Sequence, residues 1–196
     1  RDVAPSRGLG DVYKRQTLCS MLAQVIGEDG HITIPHFYDD VEEVPAAERE
    51  MIAQIPFDEK KYMEAIGVKA LKGEKGYSTL ERNSCRPSFD ICGIWGGYTG
   101  EGSKTVLPSK AYAKVSCRLV PHQNHAVISQ LFVDYIQSIA PEYVQVKVTP
   151  MHGGEGYVCP ITLPAYQAAE KGFAKAFGKK PCLLYTSPSP RDGATS

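Results

Sequence analysis

The clearest alternation of polar and apolar positions in this 196-residue chain lies between residues 91 and 123. Residues 112–120, YAKVSCRLV, alternate strictly, so the strand they predict has one polar and one apolar side. Residues 88–94, SFDICGI, alternate in the same way, and the glycine-rich residues 96–102 separate the two runs. The pattern predicts two strands of an antiparallel sheet that is covered on one side, joined by an irregular arm.

Apolar residues at helical spacing predict helices before and after these strands. The first covers residues 17–26, and Gly27 is expected to end it in the usual C-terminal glycine position. Another covers residues 124–139, with Asn124 as its N-terminal cap. Helices are also predicted over residues 45–54, 58–66, 78–84 and 164–177. The side chains expected to face the core from the helices at 17–26 and 124–139 are Leu18, Met21, Leu22, Val25, Ile26, Val127, Ile128, Leu131, Tyr135 and Ile139.

Two shorter alternating runs, residues 31–34 and 143–148, predict further strands. The predicted order is a helix, two strands, a second helix and a last strand. This order makes up most of a β-α-β-β-α-β unit. The predicted fold class is therefore α+β, a two-layer α/β sandwich. It would contain a ferredoxin-like antiparallel sheet with helices on one face, and its first strand would be missing.

The two ends of the chain can be encoded by opposite strands of one DNA. The codons GAT GTA GCA CCG for residues 2–5 are the reverse complement of codons available to residues 193–196. This relation is typical of translated adapter sequence from a sequencing library, so residues 1–16 and 182–196 are interpreted as non-native arms. The chain is then expected to be a metagenomic fragment whose authentic part is residues 17–181.

Composition excludes several classes of function. The formal net charge is zero, so nothing indicates a partner nucleic acid or an anionic membrane, and no apolar run is long enough to span a bilayer. The N-terminal residues carry charges without an apolar block and do not predict a signal peptide. Six cysteines without CxxC pairs favour buried free thiols in a reducing cytoplasm over a disulfide scaffold.

Two groups of residues are similar in sequence to known kinds of ligand-binding site. Residues 97–105 nearly match a phosphate-binding loop, but Ser103 interrupts the Gly-Lys-Thr run and Pro108 with a following strand argues against the required helix. An acidic run near two histidines could be a zinc site, although adjacent acids on an irregular segment do not all converge and a solvated surface is favoured. The residues of this run and its histidines are His31, His36, Asp39, Asp40, Glu42 and Glu43. His122 and His125 flank a helix start, and capping or solvent exposure is preferred to metal binding there.

Arg118 and His152 are the remaining candidates for chemistry. Arg118 lies on the polar side of the best strand just before Pro121 and is either a surface ion-pair partner or a two-pronged carboxylate clamp. His152 lies in the run MHGGEG and is either a turn residue or a hydrogen-bond donor to a substrate or oxyanion.

Taken together, these residues resemble the di-zinc metallopeptidases of the carnosinase, cytosolic dipeptidase and aminoacylase type, peptidase family twenty. The resemblance is densest in the run GGYTGEGSKTVLP followed by RLVP, and it extends over nearly all of residues 17–181. The other matching runs, in the family's order, are IPHFYDDV at 34–41, PFDE at 56–59, RPSFDI at 86–91 and HGG at 152–154.

The resemblance implies a zinc-binding catalytic domain interrupted by a lid, or dimerisation, domain. Residues 17–159 would be that lid, truncated at its start, and residues 160–181 the start of the returning catalytic domain. The two zinc (or manganese) ions and the glutamate general base would lie outside the fragment, so it would hold no catalytic residue and no metal ligand. The lid histidine that helps to stabilise the tetrahedral intermediate would precede residue 17.

The resemblance implies three substrate-binding residues. Thr105 would reach the active site of the partner subunit, Arg118 would hold the substrate's carboxylate end, and His152 would lie beside the substrate. The parent would be a cytoplasmic homodimer acting on a dipeptide or an N-acyl amino acid, with no membrane or nucleic-acid partner, and the fragment alone would be inactive. The alternative is a free-standing ferredoxin-like module that dimerises without catalysis.

Overall fold

The computed structural model describes residues 14–104, 108–156, 162–179 and 181. Four helices precede a β-hairpin with a long connection, and two helices follow it. In chain order the elements are α1 (Lys14–Ala23), α2 (Ala46–Ala53), α3 (Glu59–Ile66), α4 (Thr79–Ser84), β1 (Ser88–Trp95), β2 (Tyr112–Arg118), α5 (His125–Ser138) and α6 (Pro164–Phe177).

β1 and β2 form an antiparallel two-stranded sheet. Phe89 lies opposite Cys117 and Asp90 opposite Ser116, and the register shifts at a bulge between Ile91 and Gly93. Because paired residues share a face, Phe89 and Cys117 point to one side of the sheet and Asp90 and Ser116 to the other. The predicted amphipathic strands are confirmed.

α1 and α5 pack against the apolar face of the sheet. The rings of Phe89 and Phe132 lie 5.9 Å apart between their centroids, and partly buried Val115 and Cys117 complete the contact. The core consists of Met21, Leu22, Val25, Ile32, Ile34, Phe37, Phe89, Ile128 and Ile136. Helices on one face of an antiparallel sheet confirm the predicted α+β class.

Several helices begin or end at the capping residues that were predicted for them. The Asp58 side chain accepts hydrogen bonds from the backbone N–H groups of Lys60 and Lys61, and Gly67 ends α3 with a φ of 71°. Asn124 accepts from the N–H groups of Ala126 and Val127 at the start of α5.

The first helix differs from its prediction at both ends. It begins at Lys14, inside the arm interpreted as non-native, and ends at Ala23 rather than near Gly27. Residues after Ala23 fold back, since the N–H of Thr33 donates to the Val25 carbonyl and Ile26 bridges Ile32. This local pairing ends the helix early and reduces the predicted strand at 31–34 to one bridge.

Two further predictions are wrong in detail. Val127 was expected to face the core but is 50% exposed, whereas Ile136 is buried, because the apolar stripe of α5 runs through Ile128 and Ile136. Residues 143–148 form no strand within the described chain, although Val144, Val146 and Val148 alternate in burial with exposed neighbours.

Candidate functional site

Arg118 occupies the last position of β2, on the polar face of the sheet and exposed to solvent. Its neighbour across the ladder is Ser88, whose hydroxyl donates to the Asp90 carboxylate at 2.8 Å. The Arg118 guanidinium is thus carried on a hydrogen-bonded strand.

The turn after Arg118 is held by a buried glutamine. The Gln123 side chain is 1% exposed; its carbonyl accepts from the Val120 N–H at 3.0 Å, and its amide donates to the Phe37 carbonyl at 2.8 Å. His122 within this turn has a φ of 73°, in the left-handed region that is uncommon for residues other than glycine. Gln123 therefore fixes the turn to the core, a role that the sequence pattern did not reveal.

His152 lies in an exposed segment that passes close to this turn. A Cβ on Gly153 would come within 2.5 Å of the His125 ring, and one on Gly156 would lie 3.4 Å from Pro121. The Asn124 side chain also donates to the Glu155 carboxylate at 3.2 Å. The two glycines permit this approach, which places the segment of His152 beside the turn that follows Arg118.

Arg118 and His152 both line one large cleft that extends along β2 and residues 142–156. Their roles as substrate ligands stay a prediction. Thr105, the third predicted substrate residue, lies outside the described residues.

The acidic run does not converge. His36 Nδ1 pairs with Asp39 Oδ2 at 2.8 Å, while His31 Nδ1 lies 3.1 Å from Glu74 Oε1. Glu42 lies 3.5 Å from His122, and the Tyr77 hydroxyl donates to Glu43 at 3.1 Å. Within the described ranges, no group of three His, Cys, Asp or Glu side chains could hold a metal ion. These residues do not fit a zinc centre.

The cysteines differ in exposure. Cys19, Cys85, Cys92 and Cys117 are free thiols, and Cys19 and Cys92 are exposed, contrary to the expectation of buried thiols. Burial raises the pKa of Cys117 to about 11, with the nearby Asp90 carboxylate adding to the effect. The Cys117 thiol is therefore protonated at neutral pH and packs as an apolar side chain.

No helix directly follows the glycine-rich arm among the residues that the structure describes. Gly96, Gly97 and Gly102 have φ values of 147°, 84° and 80°, and residues 108–111 pass directly into β2. A phosphate-binding loop needs a helix at this point, so the arm lacks the geometry of one.

A family match over more than half of its length gives the class of this chain. A model of the peptidase dimerisation domain matches residues 13–144, and the chain belongs to that family.

Individual relatives agree with this assignment. The chain is 25% identical over 181 residues to the Beta-Ala-His dipeptidase of Rattus norvegicus, covering 91% of this chain and 36% of that protein. It is 24% identical over 176 residues to the Cys-Gly metallodipeptidase dug1 of Schizosaccharomyces pombe, covering 88% of this chain and 37% of that protein. The crystal structure of the M20 family metallo-carboxypeptidase Sso-CP2 from Sulfolobus solfataricus superposes with a TM-score of 0.72 at 26% identity, covering 88% of this chain and 39% of that one. The chain thus spans little more than a third of the length of these relatives.

Proposed function

We propose that this chain is the lid, or dimerisation, region of a metal-dependent dipeptidase or related amidohydrolase. The observation that carries the proposal is the family match over residues 13–144. The named relatives are a dipeptidase, a metallodipeptidase and a metallo-carboxypeptidase. In the proposed division of labour, the lid binds substrate and joins subunits, while two zinc (or manganese) ions in another part of the protein activate water.

The proposed substrate is a dipeptide or an N-acyl amino acid. Arg118 would pair with its carboxylate end, and His152 would donate a hydrogen bond beside it. The support is geometric, because Gln123 fixes the turn after Arg118 and Gly153 and Gly156 bring the segment of His152 against it. Thr105 would act on the substrate of the partner subunit.

Hydrolysis by the purified chain tests the proposed division of labour. With Zn²⁺ or Mn²⁺ and a β-alanyl or cysteinyl dipeptide, the chain is expected to release no product beyond that of the metal alone. Turnover that depends on the chain would show that the chain carries its own catalytic centre and would overturn the proposal.

The proposed homodimer would form at the free edge of β1. β1 pairs with β2 along one side, and its other edge has no strand partner among the described residues. Ile91, Ile94 and Trp95 on this strand are 48%, 49% and 45% exposed. An exposed, apolar edge strand is a typical surface for pairing with another chain.

Sedimentation analysis of a matched pair of variants tests this interface. Ile94→Lys places a charge on the free edge and is expected to weaken self-association by about tenfold or more, because that charge would be desolvated in the interface. Val127→Lys on α5, at a position of nearly equal exposure (50%), is expected to leave association unchanged. Equal effects of the two variants on self-association would exclude the β1 edge as the dimer interface.

The proposed domain boundary places residues 17–159 in the lid and 160–181 at the start of the catalytic domain. α6 supports this division because none of its residues is buried, and its stacked rings Phe173 and Phe177 are 56% and 73% exposed. Such an apolar face suits packing against a further domain.

The proposed compartment is the cytoplasm, which agrees with the free thiols. Among the described residues, no helix has the length and hydropathy needed to cross a membrane.

A further inference from the structure

His125 has no role in the proposed function as described so far. It is the first residue of α5 and follows the capping residue Asn124. The side chain of His122, in the preceding turn, is 59% exposed, whereas the Nδ1 atom of His125 is buried and has no hydrogen-bond partner among the described residues. A buried polar atom without a partner lowers stability, so a hydrogen bond of Nδ1 does not explain why the His125 ring lies where it does.

The start of α5 holds the His125 ring in place. The Asn124 side chain accepts hydrogen bonds from two N–H groups of the first helical turn, and the Ser129 hydroxyl donates to the His125 carbonyl at 2.7 Å. Ile128, in the same turn, is buried in the core. The ring is therefore carried on a capped and packed helix, which positions a side chain more precisely than a loop does.

The His125 ring packs against the backbone of Gly153. A Cβ on Gly153 would lie 2.5, 2.8 and 2.9 Å from the Cδ2, Cγ and Cβ atoms of His125, closer than van der Waals contact allows. Gly153 is not among the glycines with a positive φ. The close approach of the His125 ring, rather than the backbone conformation, is therefore what requires a glycine at this position.

This contact is the one nearest to His152. The other contacts of the segment with the start of α5 and its preceding turn are made at Glu155 and Gly156, three and four residues after His152. Gly153 follows His152 directly, and consecutive Cα atoms are held about 3.8 Å apart. A ring that holds Gly153 therefore also limits where the His152 side chain begins.

We propose that His125 is a positioning residue, whose ring holds Gly153 and so places the His152 side chain in the cleft that Arg118 also lines. The inference rests on the proposed function, in which His152 contacts the substrate. His125 acts on the substrate only through His152, and it does so by packing rather than by a hydrogen bond.

A double-mutant cycle in the full chain tests the contact. The readouts are the imidazole NMR signals of His152 and the backbone order parameters of residues 152–156. Gly153→Ala is expected to shift the His152 signals and to lower the order parameters from about 0.85 to below about 0.6, since its methyl group would collide with the His125 ring. His125→Ala is expected to lower them as well, because the contact is lost. Adding Gly153→Ala to His125→Ala is expected to have no further effect, because the ring is gone.

Two more variants separate positioning from a general loss of structure. Gly154→Ala places its methyl group where no atom lies within 4 Å and is expected to leave the His152 signals unchanged. His125→Phe retains carbon atoms equivalent to Cβ, Cγ and Cδ2 and removes the buried, unpaired nitrogen, so it is expected to keep the His152 signals that His125→Ala loses. The signals of α1 and of the β-hairpin report overall folding and are expected to match those of the unaltered chain.

Two results would overturn the proposal: equal effects of Gly153→Ala with and without the His125 ring, or unchanged His152 signals in His125→Ala. If His125→Ala does not fold, the comparison of Gly153→Ala with Gly154→Ala decides, and equal effects of these two would also overturn it. The NMR readouts do not depend on catalysis. A negative result would leave the proposed function standing, and turnover by the chain in the peptidase assay would leave the contact between His125 and Gly153.

Discussion

Among single residues, Arg86 shows how a buried charge is matched. Its Nε and Nη2 atoms donate to the two carboxylate oxygens of Glu74 at 2.8 and 2.6 Å, and both side chains are at most 10% exposed. Its guanidinium carbon lies 5.1 Å from the centroid of the Tyr38 ring and 4.4 Å from that of Tyr77. Because Arg86 lies two residues before β1, this cluster fixes the start of the sheet to the segment that precedes α4.

Glu74→Gln would leave the Arg86 charge buried without its carboxylate. Removing one partner of a buried pair costs about 3–5 kcal/mol, so the free energy of unfolding in urea is expected to fall by roughly that amount. Glu28→Gln, at an exposed carboxylate, is the control and is expected to change stability by less than about 0.5 kcal/mol. Equal losses in the two variants would contradict the importance of the buried pair.

The same residues predict how stability depends on pH. Burial alone would raise the pKa of Glu74, but hydrogen bonds from Arg86 and His31 outweigh it and hold the pKa below its ordinary value of 4.5. The pKa of Glu81 is also lowered, since hydrogen bonds from Arg49 and Ser78 outweigh its burial. A lowered carboxylate pKa in the folded state contributes stability that is complete above the unfolded value and is lost as the pH falls through the folded value.

Stability measured in urea is therefore expected to decline as the pH is lowered below about 4.5. Glu74→Gln should show a shallower decline than the unaltered chain, because one of the responsible carboxylates is gone. Parallel pH profiles for the two proteins would contradict this assignment.

Among helices and strands, the sequence predicted a helix end correctly where a capping side chain or a terminal glycine determines that end. Ser78 and Glu81 form a reciprocal capping box at α4, and Asp58, Gly67 and Asn124 act as expected. Elements that depend on distant partners were not predictable. Gly27 does not end α1, because the pairing of Val25 with Thr33 does so first. Residues 143–148 have the predicted alternation, but no strand within the described part of the chain pairs with them.

Substitution of Gly67 tests whether a single residue determines the end of α3. Its φ of 71° favours glycine, and a Cβ there would meet nothing within 4 Å, so backbone strain is the main cost of a substitution. Gly67→Ala is expected to lower the free energy of unfolding by about 1 kcal/mol, and Gly67→Asn by less, because asparagine tolerates this conformation better. Equal losses for alanine and asparagine in urea unfolding would contradict the strain argument.

In the whole molecule, the candidate site was partly predictable. Arg118 and His152 were predicted from residue type, strand position and family resemblance, and the structure adds that their segments meet through Gly153, Gly156 and the turn held by Gln123. Gln123 was not predictable because its partners, Val120 and Phe37, come together only in the folded core. Substrate contact by Arg118, His152 and Thr105 also depends on the rest of the protein and stays a prediction.

Exposed apolar surfaces on this chain suggest that further polypeptide packs against it. The β1 edge and the exposed rings of α6 are two separate apolar surfaces, and each has a proposed partner in a larger enzyme. A domain that dimerises by itself would need the β1 edge, but the exposed apolar rings of α6 would serve no purpose in it. These surfaces support the proposed function, in which the chain is the recognition and dimerisation part of a longer metallopeptidase.

Sequencing the source DNA on both sides of codons 17–181 is the sharpest test of the proposed function. The proposed function predicts that the reading frame continues upstream of Thr17 into a segment with a His-x-Asp metal-binding motif, and that it continues downstream of Pro181. A start codon immediately before Thr17, with no upstream metal-binding segment, would overturn the proposed function and favour a free-standing dimerisation module.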